Sequence, residues 1–550
     1  MKSSTARTPI FWPISLLVAF VALLAATSSG FAAPAPPPGP DRFKAIVVNY
    51  TTYAWYMATF RGNHLVCKIV IEYEGLPNLE DVYADCGQEL ADEWVAQPIC
   101  KNADKPNRCK GYYLFLAESI PGQREVAVEL PPAVVWIDVT DCSAVSSLAT
   151  SVCEYIPKLI LTGEEPLPEH GITRVEGAWN GESFSCEGPT CSLELEPTDE
   201  DGALLEFWAY STYGDSSKKF TAQVRVTQAD FGNPDMPSWF VDVRSSQWKG
   251  VPLASCAETW QVFPPVGGPP QWLTTPNHVS GLSSAIPYNY LAANLIQQGA
   301  ADVSACPDGG LLPDGNAASE CGLEAAREAV NAWQNRFDIL ILEIAHETDV
   351  PAQMLKNLFA RESQFWPGTV LPGGDTGLGQ ITELGADTTL LWNPSFYNSF
   401  CPLVLSQNAC ALGYMNLEPD AQEMLRQSLV NSVNAACADC PLGIDLDRAD
   451  YSVSVFAHTL MANCQQASQV VWNYSEKKMP GQLDIAYEDM WKFTLVNYNA
   501  GGGCLADALK QAYDKHEELT WENVSQYLAP ACRAAIQYVE DISESPPAAP

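Results

Sequence analysis

Among the 66 Asp and Glu residues of the chain, Glu362 has the setting best suited to acid–base chemistry. The stretch from Pro351 to about Gln364 reads as a helix. In it Leu355, Leu358 and Glu362 fall at i, i+3 and i+7 and share one face, with Met354 and Phe359 beside them. A carboxyl on the apolar side of a helix sheds part of its hydration. In the last turn it also meets the negative end of the helix dipole. Both effects disfavour the anion and raise the pKa. A group tuned in this way keeps its proton near neutral pH and can hand it to a leaving oxygen, the task of a general acid. Taken alone, the same residue also fits a solvated glutamate at a helix end.

Metal and redox chemistry find little support. Cys437 and Cys440 form a C-x-x-C pair, but no second pair or His pair stands near it. The chain has six His, and His346 occupies no H-E-x-x-H frame. A disulfide suits this pair better than a metal or a redox role. No metal and no cofactor is expected.

Three short segments follow one another: Arg361-Glu362-Ser363-Gln364-Phe365, Gly377-Leu378-Gly379-Gln380-Ile381-Thr382 and Asn497-Tyr498-Asn499-Ala500-Gly501. In this order they resemble the signature segments of the soluble lytic transglycosylase and goose-type lysozyme family, whose members cut peptidoglycan glycan strands. Each segment is weak alone, and the order carries the signal. The resemblance covers about 322–515. It implies a lysozyme-like helical fold there and cleavage of the MurNAc-GlcNAc β-1,4 bond. Under it Glu362 would be general acid and then base, and Tyr498 would hydrogen-bond and orient Glu362. Gln380 and Asn499 would hold N-acetyl and hydroxyl groups. Ser363 would contact the saccharide near the scissile bond, with Gly377 and Ala500 also on the substrate. The glycine turn would let backbone approach a flat sugar face, and its amides with Gln380 would supply convergent polar groups.

The chain departs from the family at three points. Gly379 stands where Met is frequent, and Asn497 where a small apolar residue is usual. The gap between the second and third segments is long and holds Cys401, Cys410, Cys437, Cys440 and Cys464, so one cleft wall is expected to be reshaped.

Family transglycosylases use a single glutamate, and the substrate's own N-acetyl and 6-hydroxyl groups complete the reaction to give a 1,6-anhydro end. Ordinary glycosidases need a second carboxylate. Asp375 and Glu383 flank the glycine turn, but a loop Asp and an exposed helical Glu are the plainer readings, which favours the single-glutamate route. Two alternatives stay open: a lysozyme-type hydrolase on the same site, and a non-catalytic envelope protein that only holds glycan.

The surrounding elements must place these residues. At 550 residues the chain exceeds one ordinary core, and its pattern reads as multidomain, with N-terminal β-rich modules followed by an all-α lysozyme-like domain. Residues 1–33 carry Lys2, Arg7, an apolar run from Ile14 to Ala26 and Phe31-Ala32-Ala33, the layout of a secretory signal. A Pro-rich linker (34–42) comes next. A β-rich module (43–156) stapled by six cysteines follows, then an immunoglobulin-like β module (157–228). In the latter, Phe220, Ala222, Val224 and Val226 alternate with polar residues. There Phe207, Trp208 and Tyr210 fit core aromatics beside a turn, or a sugar-stacking patch. A Pro/Gly/Trp-containing linker (229–281), the helical domain (282–540) and a tail (541–550) complete the order. Helices are expected from Leu323 to Ile344 and at 419–436, 450–476, 483–494, 504–516 and 520–540.

The 18 cysteines suit an oxidising compartment, with local pairs plausible at Cys100/Cys109, Cys142/Cys153, Cys186/Cys191 and Cys401/Cys410. With the signal they place the protein outside the cytoplasm, secreted or in the periplasm or cell envelope. No later segment reads as a membrane span. A net charge of −36 argues against nucleic acid and anionic membrane partners, which would repel it. Peptidoglycan glycan strands are the expected partner, held by hydrogen bonds and stacking rather than by bulk charge.

Overall fold

The structure is a computed structural model of the chain and describes residues 42–97, 100, 108–140, 142–145, 150–229, 238–250, 255–368 and 375–544. The expected signal (1–33), nearly all of the Pro-rich linker and the end of the tail lie outside the described residues.

Two long strands open the described chain. β1 (Phe43–Thr59) meets the later β3 antiparallel over its whole length, while β2 (Leu65–Ile71) pairs only with the second half of β1. Two short helices, α1 (Leu79–Cys86) and α2 (Gln88–Ala96), cover that half. They close a small core of Met57, Ile69, Ile71, Val82 and Ala91. β3 (Tyr112–Glu129) completes the sheet order β2-β1-β3.

A second module stacks two sheets. Its strands are β4 (Val134–Val139), β5 (Cys142–Val145), β6 (Thr150–Cys153), β7 (Lys158–Glu164), β8 (Ile172–Trp179), β9 (Glu182–Glu187), β10 (Thr190–Glu194), β11 (Ala203–Ser211), β12 (Phe220–Ala229) and β13 (Ser238–Arg244). One sheet has the order β10-β7-β4 and the other β5-β6-β13-β12-β11-β8-β9. Val135, Ile137, Leu159 and Leu161 of the first meet Val175, Leu205, Phe207, Val224 and Val241 of the second in one core. The period-2 alternation expected at Phe220–Val226 holds from Phe220 to Val224 and breaks at Arg225, which is buried.

Module boundaries differ from the expected ones. β4 pairs with β7 and β6 with β13, so strands expected in the 43–156 module belong to the sandwich. β13 falls inside the expected linker 229–281. Alternation shows that a strand exists, but its hydrogen-bonding partner lies far along the chain and leaves no local mark. Of the aromatic patch, Phe207 and Trp208 are buried, and Tyr210 lies under the Arg174 guanidinium at 4.3 Å. This is the core reading.

The helical region comprises α3 (Ser255–Trp260), α4 (Asn289–Gln297), α5 (Glu320–Asn335), α6 (Asp338–Thr348), α7 (Ala352–Ser363), α8 (Glu383–Trp392), α9 (Pro394–Phe400), α10 (Gln407–Cys410), α11 (Pro419–Val433), α12 (Leu446–Tyr474), α13 (Tyr487–Ala500), α14 (Gly502–Asp514), α15 (Trp521–Ser525) and α16 (Ala534–Ser543). The helix expected from Leu323 to Ile344 is two, broken at Arg336 and Phe337. The one expected over 520–540 is α15 and α16. α7 is not amphipathic as expected: every residue from Ala352 to Ala360 is buried. Its polar members are paired inside the core. Lys356 Nζ bonds both Asp338 oxygens at 2.8 Å, and Gln353 Nε2 bonds Asn357 at 2.8 Å.

Buried charges tie the modules together. Arg42 bonds Glu165, Asp215 and the Pro131 carbonyl, fixing the start of β1 to the sandwich. Arg225 pairs with Asp242 at 2.6 Å and bonds the Pro264 carbonyl at 2.8 Å. All four expected local pairs are bridged, and so is the expected Cys437/Cys440 pair. With Cys67–Cys86, Cys256–Cys464, Cys306–Cys321 and Cys504–Cys532 they make nine bridges, and no cysteine is free. Among the described residues no helix is long and apolar enough to cross a membrane.

Cys256–Cys464 closes a loop 208 residues long and is buried at both ends. Loop-closure entropy assigns such a bridge about 5 kcal/mol. Replacing both cysteines with serine is therefore expected to lower the Tm of the helical region by several degrees in calorimetry. An unchanged Tm would show that α3 is held to α12 by packing alone.

Candidate functional site

Glu362 stands one residue before the end of α7. The chain then turns through two left-handed non-glycine residues, Gln364 (φ 48°) and Phe365 (φ 62°). Such backbone costs about 1–3 kcal/mol per residue and persists only where neighbours hold it. Here the Gln364 Oε1 accepts from the Tyr290 and Leu291 amides at 2.8 and 3.2 Å. The Trp333 indole donates to the Phe365 carbonyl at 2.8 Å. The elbow fixes where α7 stops and so where the Glu362 carboxyl lies.

Tyr538, on α16, donates its hydroxyl to Glu362 Oε1 at 2.5 Å. Further contacts dock α16 on α7. Arg361 Nε bonds Asp541 at 2.7 Å, with its guanidinium over the Tyr538 ring, and Asn357 Nδ2 bonds the Ile542 carbonyl at 2.9 Å. Burial is the main influence on Glu362 and, helped by the nearby Asp375 charge, pushes its pKa up to about 7. The Tyr538 hydrogen bond and the Arg361 charge act the other way.

Glu362 opens into a cleft of about 310 Å³. Its walls include Asp375 and Gln380 from the glycine turn, Thr382 and Thr388 at and within α8, Thr459 and Asn463 from α12, and Asn497 to Gly501 where α13 gives way to α14. Among the described residues the lining carries two carboxyls, several amides and hydroxyls, and no Lys, Arg or His. This can donate a proton and bind a neutral polar chain through hydrogen bonds. Among the described residues no cluster of three His, Cys, Asp or Glu side chains is placed to hold a metal ion.

Of the residues singled out in the sequence, Glu362, Gln380, Tyr498, Asn499 and Ala500 meet in this cleft, and two do not. Ser363 is 2 % exposed, and its hydroxyl donates to the Leu378 carbonyl at 2.6 Å. It fastens the end of α7 to the glycine turn instead of facing a saccharide. Gly377 is buried, with φ 78°, and its carbonyl accepts from Gln380 Nε2 at 2.7 Å. The expected Tyr498–Glu362 hydrogen bond is also absent. Tyr498 donates to the Gly379 carbonyl at 2.5 Å and so anchors the turn, while Tyr538 holds the carboxyl.

The glycine turn has a packing reason. A Cβ on Gly379 would lie 2.4 Å from the buried Phe456 ring of α12, and one on Gly377 would lie 3.0 Å from the same ring. Close approach to Phe456, not to a sugar, excludes larger residues, including the Met frequent in the resembled family. Asn497 is likewise explained: its Nδ2 donates to Asn463 Oδ1 and Gln466 Oε1, both at 2.8 Å. An amide belongs where α12 offers two acceptors.

Sequence reading missed Tyr538. It lies 176 residues from Glu362, and only its place on the apolar side of a terminal helix marked it. Thr388, Thr459 and Asn463 were missed as well, being single polar residues inside otherwise apolar helices.

No protein-family model, curated protein or solved structure matches this chain. The family resemblance therefore rests on the three segments and on their meeting around one carboxyl.

Gly379→Ala is expected to cost about 1–3 kcal/mol in chemical denaturation, because the methyl overpacks Phe456. Combined with Phe456→Leu, the cost should be less than the sum of the two single changes. Strict additivity would separate the glycine from the ring.

Proposed function

We propose that this is an exported enzyme that cleaves peptidoglycan glycan strands at the MurNAc-GlcNAc β-1,4 bond by a single-glutamate lytic transglycosylase mechanism. The observation that carries the reading is a carboxyl that burial pushes up to about 7, opening into a cleft whose described lining is amides and hydroxyls without a cation. Tyr538 occupies Oε1, which leaves Oε2 to carry the proton. Glu362 gives that proton to the glycosidic oxygen as the bond from the anomeric carbon breaks. The resulting carboxylate takes the proton of the substrate's 6-hydroxyl, whose oxygen closes onto the anomeric carbon as a 1,6-anhydro ring. The carboxyl ends the cycle protonated, and no water is consumed. Nine disulfides fit an oxidising compartment. The β modules, the second read as an immunoglobulin-like sandwich, serve as accessory domains.

Asp375 favours a second reading. It lines the same cleft and is raised by burial yet still exposed. As a carboxylate it would activate water and turn the reaction into hydrolysis.

Digestion of purified sacculi with mass spectrometry of the product ends tests both. Anhydro ends are expected, whereas reducing ends would transfer the assignment to the hydrolase. No products from the wild type would leave a glycan-binding protein. Glu362→Gln should lower the rate about 10²-fold or more, and undiminished activity in it would refute the site.

The pH profile gives an independent check. A general acid works only while protonated, so activity should fall as pH rises through about 7. Tyr538→Phe removes a hydrogen bond that stabilises the anion, so this limb should move to higher pH. Asp375→Asn removes a repelling charge, so it should move to lower pH. Shifts in the opposite directions would contradict the assigned electrostatics.

A further inference from the structure

A second cavity, of about 340 Å³, opens elsewhere on the helical region and includes Trp392, Gln465, Ser468, Gln469 and Trp472, with Thr259 at its side. It differs in character from the cleft. None of its described lining residues is charged, and two half-buried tryptophans face it with two amides and two hydroxyls. Gln465, Ser468, Gln469 and Trp472 fall at i, i+3, i+4 and i+7 of α12 and form one stripe. Trp392 ends α8, and its indole Nε1 is buried with no acceptor among the described residues. The back wall is fixed, since Cys256–Cys464 joins α3 to α12 beside the stripe and the Trp260 indole donates to the Cys464 carbonyl at 3.0 Å.

The cavity lies close to the cleft. Thr388, one turn before Trp392 on the same face of α8, lines the cleft. The separation along the helix axis is about 6 Å. α12 also serves both, through Thr459 and Asn463 on one side and the Gln465–Trp472 stripe on the other.

Aromatic faces with amides and hydroxyls, and no charge, match an uncharged sugar. Its C–H face packs on indole, while its hydroxyl and acetamido groups bond amides. Peptides and anions would leave their charges unpaired there. We propose that the Trp392–Trp472 cavity is a second saccharide site, holding an N-acetylglucosamine unit of the same polymer outside the cleft. The choice of polymer rests on the glycan reading of Glu362, while the preference for an uncharged sugar rests on the cavity itself.

The test uses the full chain carrying Glu362→Gln, so that nothing is cleaved, and a β-1,4-linked N-acetylglucosamine hexamer as probe, with affinity read by calorimetry. Adding Trp472→Ala should weaken binding about fivefold or more. Adding Gln465→Ala, a change outside the core, should weaken it in the same direction and guards against misfolding. Unchanged affinity in both, or no hexamer binding by the Glu362→Gln chain, overturns the proposal. Sacculus cleavage by the wild type is scored separately. Normal cleavage with hexamer binding indifferent to Trp472 sinks the second site alone. Absent cleavage with Trp472-dependent binding sinks the enzyme reading and leaves the second site standing.

Discussion

The burial of one carboxyl organises the helical region. The Glu362 pKa is pushed up to about 7 because the body of α7 is buried and α16 closes over its last turn through Tyr538, Asp541 and the Ile542 carbonyl. Desolvation raises the pKa, and the partners of the anion limit how far it goes. A carboxyl with no partner would be a large liability in such a place. One held only by Arg361 would ionise at lower pH. The Tyr538 hydroxyl is a compromise, since it fixes orientation without adding a full positive charge.

Position is enforced as strictly as ionisation. The left-handed pair Gln364 and Phe365 ends α7 abruptly, and the strain is held by Trp333, Tyr290 and Leu291. On the opposite side the glycine turn is pressed against Phe456, tied to α7 by Ser363 and to α13 by Tyr498. Residues that a motif suggests are there for substrate thus hold two sides of the cleft at a set separation. Of the other members, Asn499 is exposed and Gln380 half-buried, and both line the cleft.

What was legible in the sequence was local. The α7 limits, the alternation over the first half of β12 and the expected short-range disulfides all depend on neighbours within a few residues, and they appear where expected. The partners of β4 and β6, the break at Arg336–Phe337 and the short helices α8 to α10 depend on distant packing, and periodicity carries no record of it. In the site, residue identity identified Glu362, Gln380, Tyr498 and Asn499 as neighbours. It could not give the direction of a side chain, so Ser363 was read as facing substrate and Tyr498 as bonding the acid. Tyr538 has no motif around it, and only the fold brings α16 to α7.

The bridge pattern has a consequence for how the chain matures. Eight of the nine disulfides join cysteines consecutive in sequence. Each can close as soon as its second cysteine enters an oxidising space. Cys256 is different: six other cysteines pass before its partner Cys464 arrives. Its thiol must stay open, or be released from wrong pairings by exchange, until α12 is in place. Maturation is therefore vectorial for the β modules but must wait for most of the helical region at one thiol. The thiol that waits longest is the one that clamps α3 against the helix that builds the cleft, and only Cys504–Cys532 closes after it.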